Sequence, residues 1–83
     1  MSDISILYVE NHKAFADAVI REFLDGYTVK VVSSLVEAKQ QQLTPYQVIL
    51  CDYDLDDGKG ETFVRWVRKG KNNIPIIAVS SHD

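Results

Sequence analysis

The chain has 83 residues, 46% of them hydrophobic and 25% charged, a composition typical of one globular domain that excludes a disordered or fibrous chain. Its formal net charge is −3 and its basic residues are spread out, so we expect no direct binding of nucleic acid by this segment. A single cysteine excludes an internal disulfide and no export leader follows Met1, so we expect a cytoplasmic protein. No apolar run approaches the ~20 residues that span a bilayer, so we expect no membrane span.

The first third of the chain predicts a strand, a helix and a second strand. The apolar, β-rich residues 4–9 predict a strand buried on both faces. Residues 12–24 carry apolar side chains at helical spacing, with Asn11 where an N-cap belongs and Gly26 after the last turn. Residues 27–32 alternate between polar and apolar, which is typical of a strand at the edge of a sheet.

The middle of the chain predicts a short helix and a central strand. Ser34 and Glu37 have the spacing of a capping box, and the Gln-rich helix that follows must end before Pro45. Residues 48–51 form an uninterrupted apolar run that leads directly into Asp52. Such a run predicts a parallel strand covered on both faces.

The last third begins with a loop broken by Gly58 and Gly60 and continues with a third helix that ends at Gly70. Residues 74–79 predict a fourth strand. Alternating strands and helices predict an α/β fold, because parallel strands joined by right-handed crossovers carry helices on both faces. We expect a flavodoxin-like, doubly wound parallel sheet with strand order 2-1-3-4.

In open α/β sheets, ligands bind beyond the carboxyl ends of the strands at the point where the strand order reverses. The polar residues predicted at this place are Glu10, Asn11, Asp52, Asp54 and Ser80. Three carboxylates, an amide and a hydroxyl suit a hard cation that prefers oxygen ligands, and Mg²⁺ fits better than zinc. An aspartate can also act as a nucleophile and form an aspartyl phosphate.

Three segments of the chain resemble the receiver domain of response regulators. They are ILYVEN at residues 6–11, VILCDYDLDDGKG at residues 48–60 and IPIIAVSS at residues 74–81, and their mutual spacing also fits the family. The resemblance runs over residues 1–83 and implies the N-terminal two-thirds of a receiver domain, without the fifth strand and the last two helices. It implies a two-component signalling module and not an enzyme.

The resemblance also implies roles for individual residues. Asp52 would accept a phosphoryl group from a histidine kinase or phosphotransfer protein, and Ser80 would be the switch hydroxyl that contacts this group. Glu10 would bind Mg²⁺ as the first member of the family's acidic pair, together with Asp52 and the backbone carbonyl of Asp54.

Three departures from the family pattern affect these expectations. Asn11 replaces the second acid, so we expect it to be a weak ligand and Mg²⁺ affinity to fall. Asp56 replaces the proline common after the phosphoacceptor. The chain ends before the fifth-strand lysine of the family, which would leave residues 74–79 as an exposed edge strand open to self-association.

Several polar residues also have explanations that need no ligand. A helix N-cap accounts for Asn11, and Ser80 could cap whatever follows the fourth strand. The acids at positions 54, 56 and 57 could simply keep a loop solvated. Neither His12 nor His82 has metal-ligand spacing, and Cys51, Phe63 and Trp66 are expected to be packing residues.

Two other functions compete with the phosphoacceptor. A pseudo-receiver, which keeps the fold as a protein-interaction module without phosphorylation, is favoured by Asn11. An aspartate-nucleophile phosphatase would explain Asp52 and Asp54, since they resemble the DxD motif of haloacid dehalogenases, but that family's later motifs have no room here. An EF-hand and a Walker loop are excluded by the spacing of residues 52–63.

Overall fold

The computed structural model describes residues 4–79, and its secondary structure alternates as predicted. In chain order the elements are β1 (Ser5–Val9), α1 (Lys13–Phe23), β2 (Thr28–Val32), α2 (Leu35–Lys39), β3 (Val48–Asp52), β4 (Asp54–Leu55), β5 (Gly58–Lys59), α3 (Gly60–Lys69) and β6 (Ile76–Val79).

Four strands form one parallel sheet with the order β2-β1-β3-β6. This confirms the predicted α/β fold and the order 2-1-3-4, with β6 as the fourth strand of the prediction. The two central strands are the most buried ones, and β2 lies at an edge as its alternating pattern indicated. None of the helices within residues 4–79 is long and apolar enough to cross a membrane.

Helices cover both faces of the sheet because successive side chains of a strand point to opposite faces. On one face, Tyr8 and Leu50 pack with Ala16 of α1. On the other face, Leu7 and Ile49 belong to a larger cluster that includes residues of α2 and α3. The core therefore lies in two layers, and the edge of the sheet at the carboxyl ends of its strands stays free for polar groups.

The boundaries of several elements differ from the predictions by one or more residues. α1 begins at Lys13 with His12 in the N-cap position, so the predicted cap role of Asn11 is wrong. α3 begins directly at Gly60. β6 begins at Ile76, two residues later than predicted.

A short antiparallel hairpin that the sequence did not indicate follows β3. It is formed by β4 and β5, with Asp56 and Asp57 as its two-residue turn. Gly58 has a φ of 148°, a conformation open to glycine but rarely to other residues. The segment predicted as an irregular loop is therefore ordered beside the carboxyl edge of the sheet.

Candidate functional site

Two carboxylates meet at the carboxyl edge of the sheet. Val9 of β1 pairs with Cys51 of β3, so the next residues, Glu10 and Asp52, lie side by side at the ends of the two central strands. Both are buried, with exposures of 1% and 0% respectively. Charged residues are rarely buried to this degree without a partner, which distinguishes the pair from ordinary loop acids.

The site contains buried oxygen atoms that have no hydrogen-bond partner within the described part of the chain. They are Glu10 Oε1, Asn11 Oδ1, both carboxylate oxygens of Asp52, and the Tyr8 hydroxyl. Buried polar groups without partners are costly, and buried charges are normally paired or bound to a metal. Since oxygen atoms of Glu10, Asn11 and Asp52 are the ligands that Mg²⁺ prefers, the residues present fit this ion.

The two neighbouring carboxylates, Glu10 and Asp52, concentrate negative charge in the site and shift the pKa values of the groups around them. Burial raises the pKa of the Glu10 carboxyl against the opposing effect of the His12 N–H, and the Asp52 charge raises it further. Burial and the same two carboxylates also raise the pKa of the Tyr8 phenol, which therefore stays protonated. A cation at this place would relieve both effects.

Cys51 lies next to Asp52 but contributes no nucleophile. Its side chain is buried, and burial together with the charges of Asp52 and Glu10 raises the pKa of the thiol to about 12. The Sγ atom is 3.4 Å from the backbone oxygen of Asp52, to which the thiol donates. The prediction of a small buried packing residue is confirmed. Phe63 is buried as well, whereas Trp66 stacks on it at 5.8 Å between ring centroids and stays partly exposed.

Asn11 connects the site to the hairpin. Its Nδ2 donates to Asp56 Oδ1 at 2.9 Å, which orients the side chain so that Oδ1 is the buried oxygen. Oδ1 is the atom that would accept a capping bond, but it points into the site and accepts no N–H group of α1, and this is the physical reason that the cap prediction is wrong. The position of Oδ1 is compatible with the weak metal-ligand role predicted from the sequence.

The other two hairpin acids also make contacts of their own, beyond keeping a loop solvated. Asp57 accepts from the backbone N–H groups of Leu35 and Val36 at 2.8 and 3.0 Å, and these bonds hold the pKa of its carboxyl below the usual value. The Asp54 carboxylate pairs with Lys59, and this pairing raises the pKa of the Lys59 amine. A metal-ligand role for the backbone carbonyl of Asp54 stays a prediction.

His12 is a site residue that the sequence reasoning missed. Its backbone N–H donates to Glu10 Oε2 at 3.0 Å, and its Nδ1 lies 3.4 Å from the same oxygen. Possible ligand atoms of Glu10, His12 and Asp52 all lie within 4.8 Å of one another. The sequence signal that could have indicated it is the position of His12, two residues after an acid at the end of a strand. That signal predicts proximity to Glu10 but not to Asp52, which lies in a different segment of the chain. Ser80, the predicted switch hydroxyl, lies outside the described residues.

The chain is similar to known proteins both in sequence and in structure. Residues 6–83 match the response regulator receiver domain family. No curated protein matches the chain. Among solved structures, the non-phosphorylated HemR receiver domain from Leptospira biflexa is similar, with a TM-score of 0.83, 21% identity, and coverage of 95% of this chain and 65% of that one.

Two further structures show the same fold. The receiver domain of the Francisella response regulator 1452 has a TM-score of 0.80 and 24% identity, over 96% of this chain and 68% of that chain. The MaeR response regulator bound to beryllium trifluoride has a TM-score of 0.74 and 23% identity, over 96% of this chain and 69% of that chain. The chain thus spans 65% of the length of the HemR structure, and 68% and 69% of the other two.

Proposed function

The chain belongs to the response regulator receiver domain family, and on that premise we propose that it is a phosphoacceptor signalling module of a two-component system. In this proposal Asp52 accepts a phosphoryl group from a histidine kinase or phosphotransfer protein. The observation that carries the proposal is the complete burial of Asp52, whose two carboxylate oxygens have no hydrogen-bond partner among residues 4–79. Packing alone gives no reason for such a carboxylate at the centre of the carboxyl edge.

The proposed transfer is a displacement at phosphorus. A carboxylate oxygen of Asp52 attacks the phosphorus atom of a phosphohistidine, forming a P–O bond as the P–N bond breaks. The bonding electron pair returns to the imidazole nitrogen of the donor, which takes up a proton from solvent. In this scheme the chain is the acceptor of its kinase's phosphoryl group and not itself an enzyme. We also propose a cytoplasmic location, where phosphoryl groups derived from ATP are available.

The residues proposed to hold Mg²⁺ are Glu10, Asp52, the side-chain oxygen of Asn11 and the backbone carbonyl of Asp54. When bound, this ion supplies positive charge that stabilises the phosphoryl oxygens during transfer. Asn11 contributes a neutral amide where the family has a carboxylate, and fewer ligand charges give weaker binding. The proposed module therefore works at higher Mg²⁺ concentrations than a receiver domain with both acids.

A second candidate function is favoured by the contact between Asn11 and Asp56. An amide that is held by the hairpin can keep the carboxyl edge ordered without a cation. This arrangement would suit a pseudo-receiver, which recognises a partner protein without being phosphorylated. The two candidates differ in whether Asp52 ever carries a phosphoryl group.

The deciding experiment is incubation of the protein with acetyl phosphate and Mg²⁺, followed by intact-mass measurement and peptide mapping. We expect one phosphoryl adduct on the wild type and on Asp54→Asn, which changes a nearby paired acid. We expect none on Asp52→Asn. A second readout is a change in Trp66 fluorescence on addition of beryllium fluoride, the ligand of the similar MaeR structure. Absence of an adduct on the wild type would favour the pseudo-receiver, and an adduct that persists in Asp52→Asn would overturn the assignment of Asp52 as the phosphoacceptor.

A further inference from the structure

The imidazole of His12 lies beside the two buried carboxylates and has no role in the helix that it precedes. His12 occupies the N-cap position of α1, yet its side chain makes no capping hydrogen bond. Its Nδ1 instead faces Glu10 Oε2 at 3.4 Å. The side chain is 54% exposed, so it is free to adjust toward a ligand shared with Glu10.

A second and independent observation indicates a ligand at the same place. Both oxygens of Asp52 and Oε1 of Glu10 are buried and have no hydrogen-bond partner in the described part of the chain. The His12 N–H donates to the other oxygen, Oε2, and thereby fixes the orientation of the Glu10 carboxylate. Because the potential ligand atoms of all three residues lie within 4.8 Å of one another, one ion could contact each of them after small adjustments.

We infer that Glu10, His12 and Asp52 form a binding site for a divalent transition metal of the zinc class, with the imidazole of His12 as a ligand. This inference deepens the proposed function and rests on it, because the ion would use the same two carboxylates as Mg²⁺. Imidazole is a preferred ligand for zinc and nickel, whereas Mg²⁺ is bound through oxygen. Three protein ligands and an open position for water are the arrangement found in non-structural zinc sites.

The inference has a consequence for metal selectivity. Asn11 in place of the family's acid removes a negative charge that would favour Mg²⁺. His12 adds a nitrogen ligand that Mg²⁺ does not prefer. Zn²⁺ and Mg²⁺ therefore compete for the same carboxylates, and only the binding of Zn²⁺ depends on the imidazole.

The test is calorimetric titration of the metal-free protein with Zn²⁺ and, separately, with Mg²⁺. We expect His12→Gln to weaken Zn²⁺ binding at least about tenfold while Mg²⁺ affinity changes less than about twofold. The matched control is His82→Gln, which removes the other histidine of the chain and should leave both affinities unchanged. Equal effects of His12→Gln on the two ions, or no effect on Zn²⁺, would overturn the inference.

A spectroscopic readout and a second variant keep this test independent of folding and of phosphorylation. Co²⁺ added to the wild type should give visible absorption bands that change in His12→Gln. His12→Asn places a good N-cap residue at the same position, so it serves if His12→Gln fails to fold. The proposed function is tested separately by the acetyl phosphate adduct on Asp52 with Mg²⁺. That adduct is measured on the wild type and on Asp52→Asn in the absence of Zn²⁺, so loss of the adduct and loss of Zn²⁺ binding are distinguishable failures.

Discussion

Asn11 places one side-chain oxygen in the site while its nitrogen is bound to the hairpin, and these two contacts have opposing effects on substitution. We predict that Asn11→Asp tightens Mg²⁺ binding because it adds a ligand charge. Without metal, the same change should lower the free energy of unfolding by up to about 1 kcal/mol, since it replaces the bond to Asp56 with two like charges. Calorimetry with Mg²⁺ and urea unfolding in a chelator measure the two effects.

The control for this prediction exchanges the two side chains. In the double variant Asn11→Asp with Asp56→Asn, an amide again faces a carboxylate, so stability without metal should recover while Mg²⁺ binding stays tight. If Asn11→Asp does not tighten Mg²⁺ binding, position 11 is not a metal ligand.

Gly60 packs against the main chain of the proposed phosphoacceptor. Its N–H donates to the Tyr53 carbonyl at 2.6 Å, and a Cβ atom at this position would overlap the carbonyl oxygen of Asp52. We predict that Gly60→Ala destabilises the protein by about 1–3 kcal/mol, as overpacking does in other cores. Gly70→Ala is the control, because a Cβ there meets only ordinary contacts at 3.5 Å or more. Urea unfolding of the two variants should differ clearly, and equal stabilities would contradict the prediction.

The residues of the site were predictable only where the main chain alone determines their position. Glu10 and Asp52 follow apolar runs that become adjacent parallel strands, so their meeting follows from the fold. The roles of His12, Asp56 and Asp57 depend on side-chain contacts between separate segments. No pattern along the sequence reports such contacts, and Asn11 was therefore misassigned as a helix cap.

At the scale of elements, α2 depends on a residue of the hairpin. It has five residues, and its first N–H groups are bonded by Asp57 and by the Ser34 hydroxyl, which accepts from Glu37 N–H. The capping role of Ser34 predicted from the sequence is confirmed. A helix this short is not stable by itself, so these caps determine whether it forms.

The Asp57 contacts predict a dependence of α2 on pH. The bonds from Leu35 and Val36 hold the pKa of Asp57 below its unfolded value, so they stabilise the folded state above that value. We predict that this contribution is lost as the pH falls from the unfolded pKa through the folded one. Nuclear magnetic resonance of the two amides during acid titration should show the loss. In Asp57→Asn this step should be missing, and an unchanged titration would contradict the prediction.

The larger elements were predictable because each combines a periodic pattern with a clear end signal. The four parallel strands, the three helices and the strand order all follow from apolar runs and turn residues. The β4–β5 hairpin was missed because its strands have two residues each, too few for any alternation to be visible. The end residues of α1, α3 and β6 shifted by one to a few positions, since local contacts decide where hydrogen bonding begins.

At the scale of the whole molecule, β6 lies at the edge of the sheet in the described part of the chain, with Ile77 53% exposed. Edge strands of this kind pair readily with other chains. We predict that the protein self-associates through β6 and that Ile77→Lys shifts it toward the monomer in sedimentation velocity. Val31→Lys on the opposite edge strand, β2, is the control and should leave association unchanged. A monomeric wild type, or equal effects of the two changes, would argue against this interface.

The turn of the hairpin joins two separate parts of the molecule through adjacent residues. Asp56 holds the amide of Asn11, whose oxygen lies in the acidic site, and Asp57 holds the first turn of α2. A ligand that moves Asn11 toward Asp52 should therefore move Asp56 as well. Because Asp57 is the next residue, its hydrogen bonds from the Leu35 and Val36 amides should change too. The hydrogen exchange rates of these two amides should therefore report changes in the acidic site, although the amides lie in α2 and Asp52 itself carries no label.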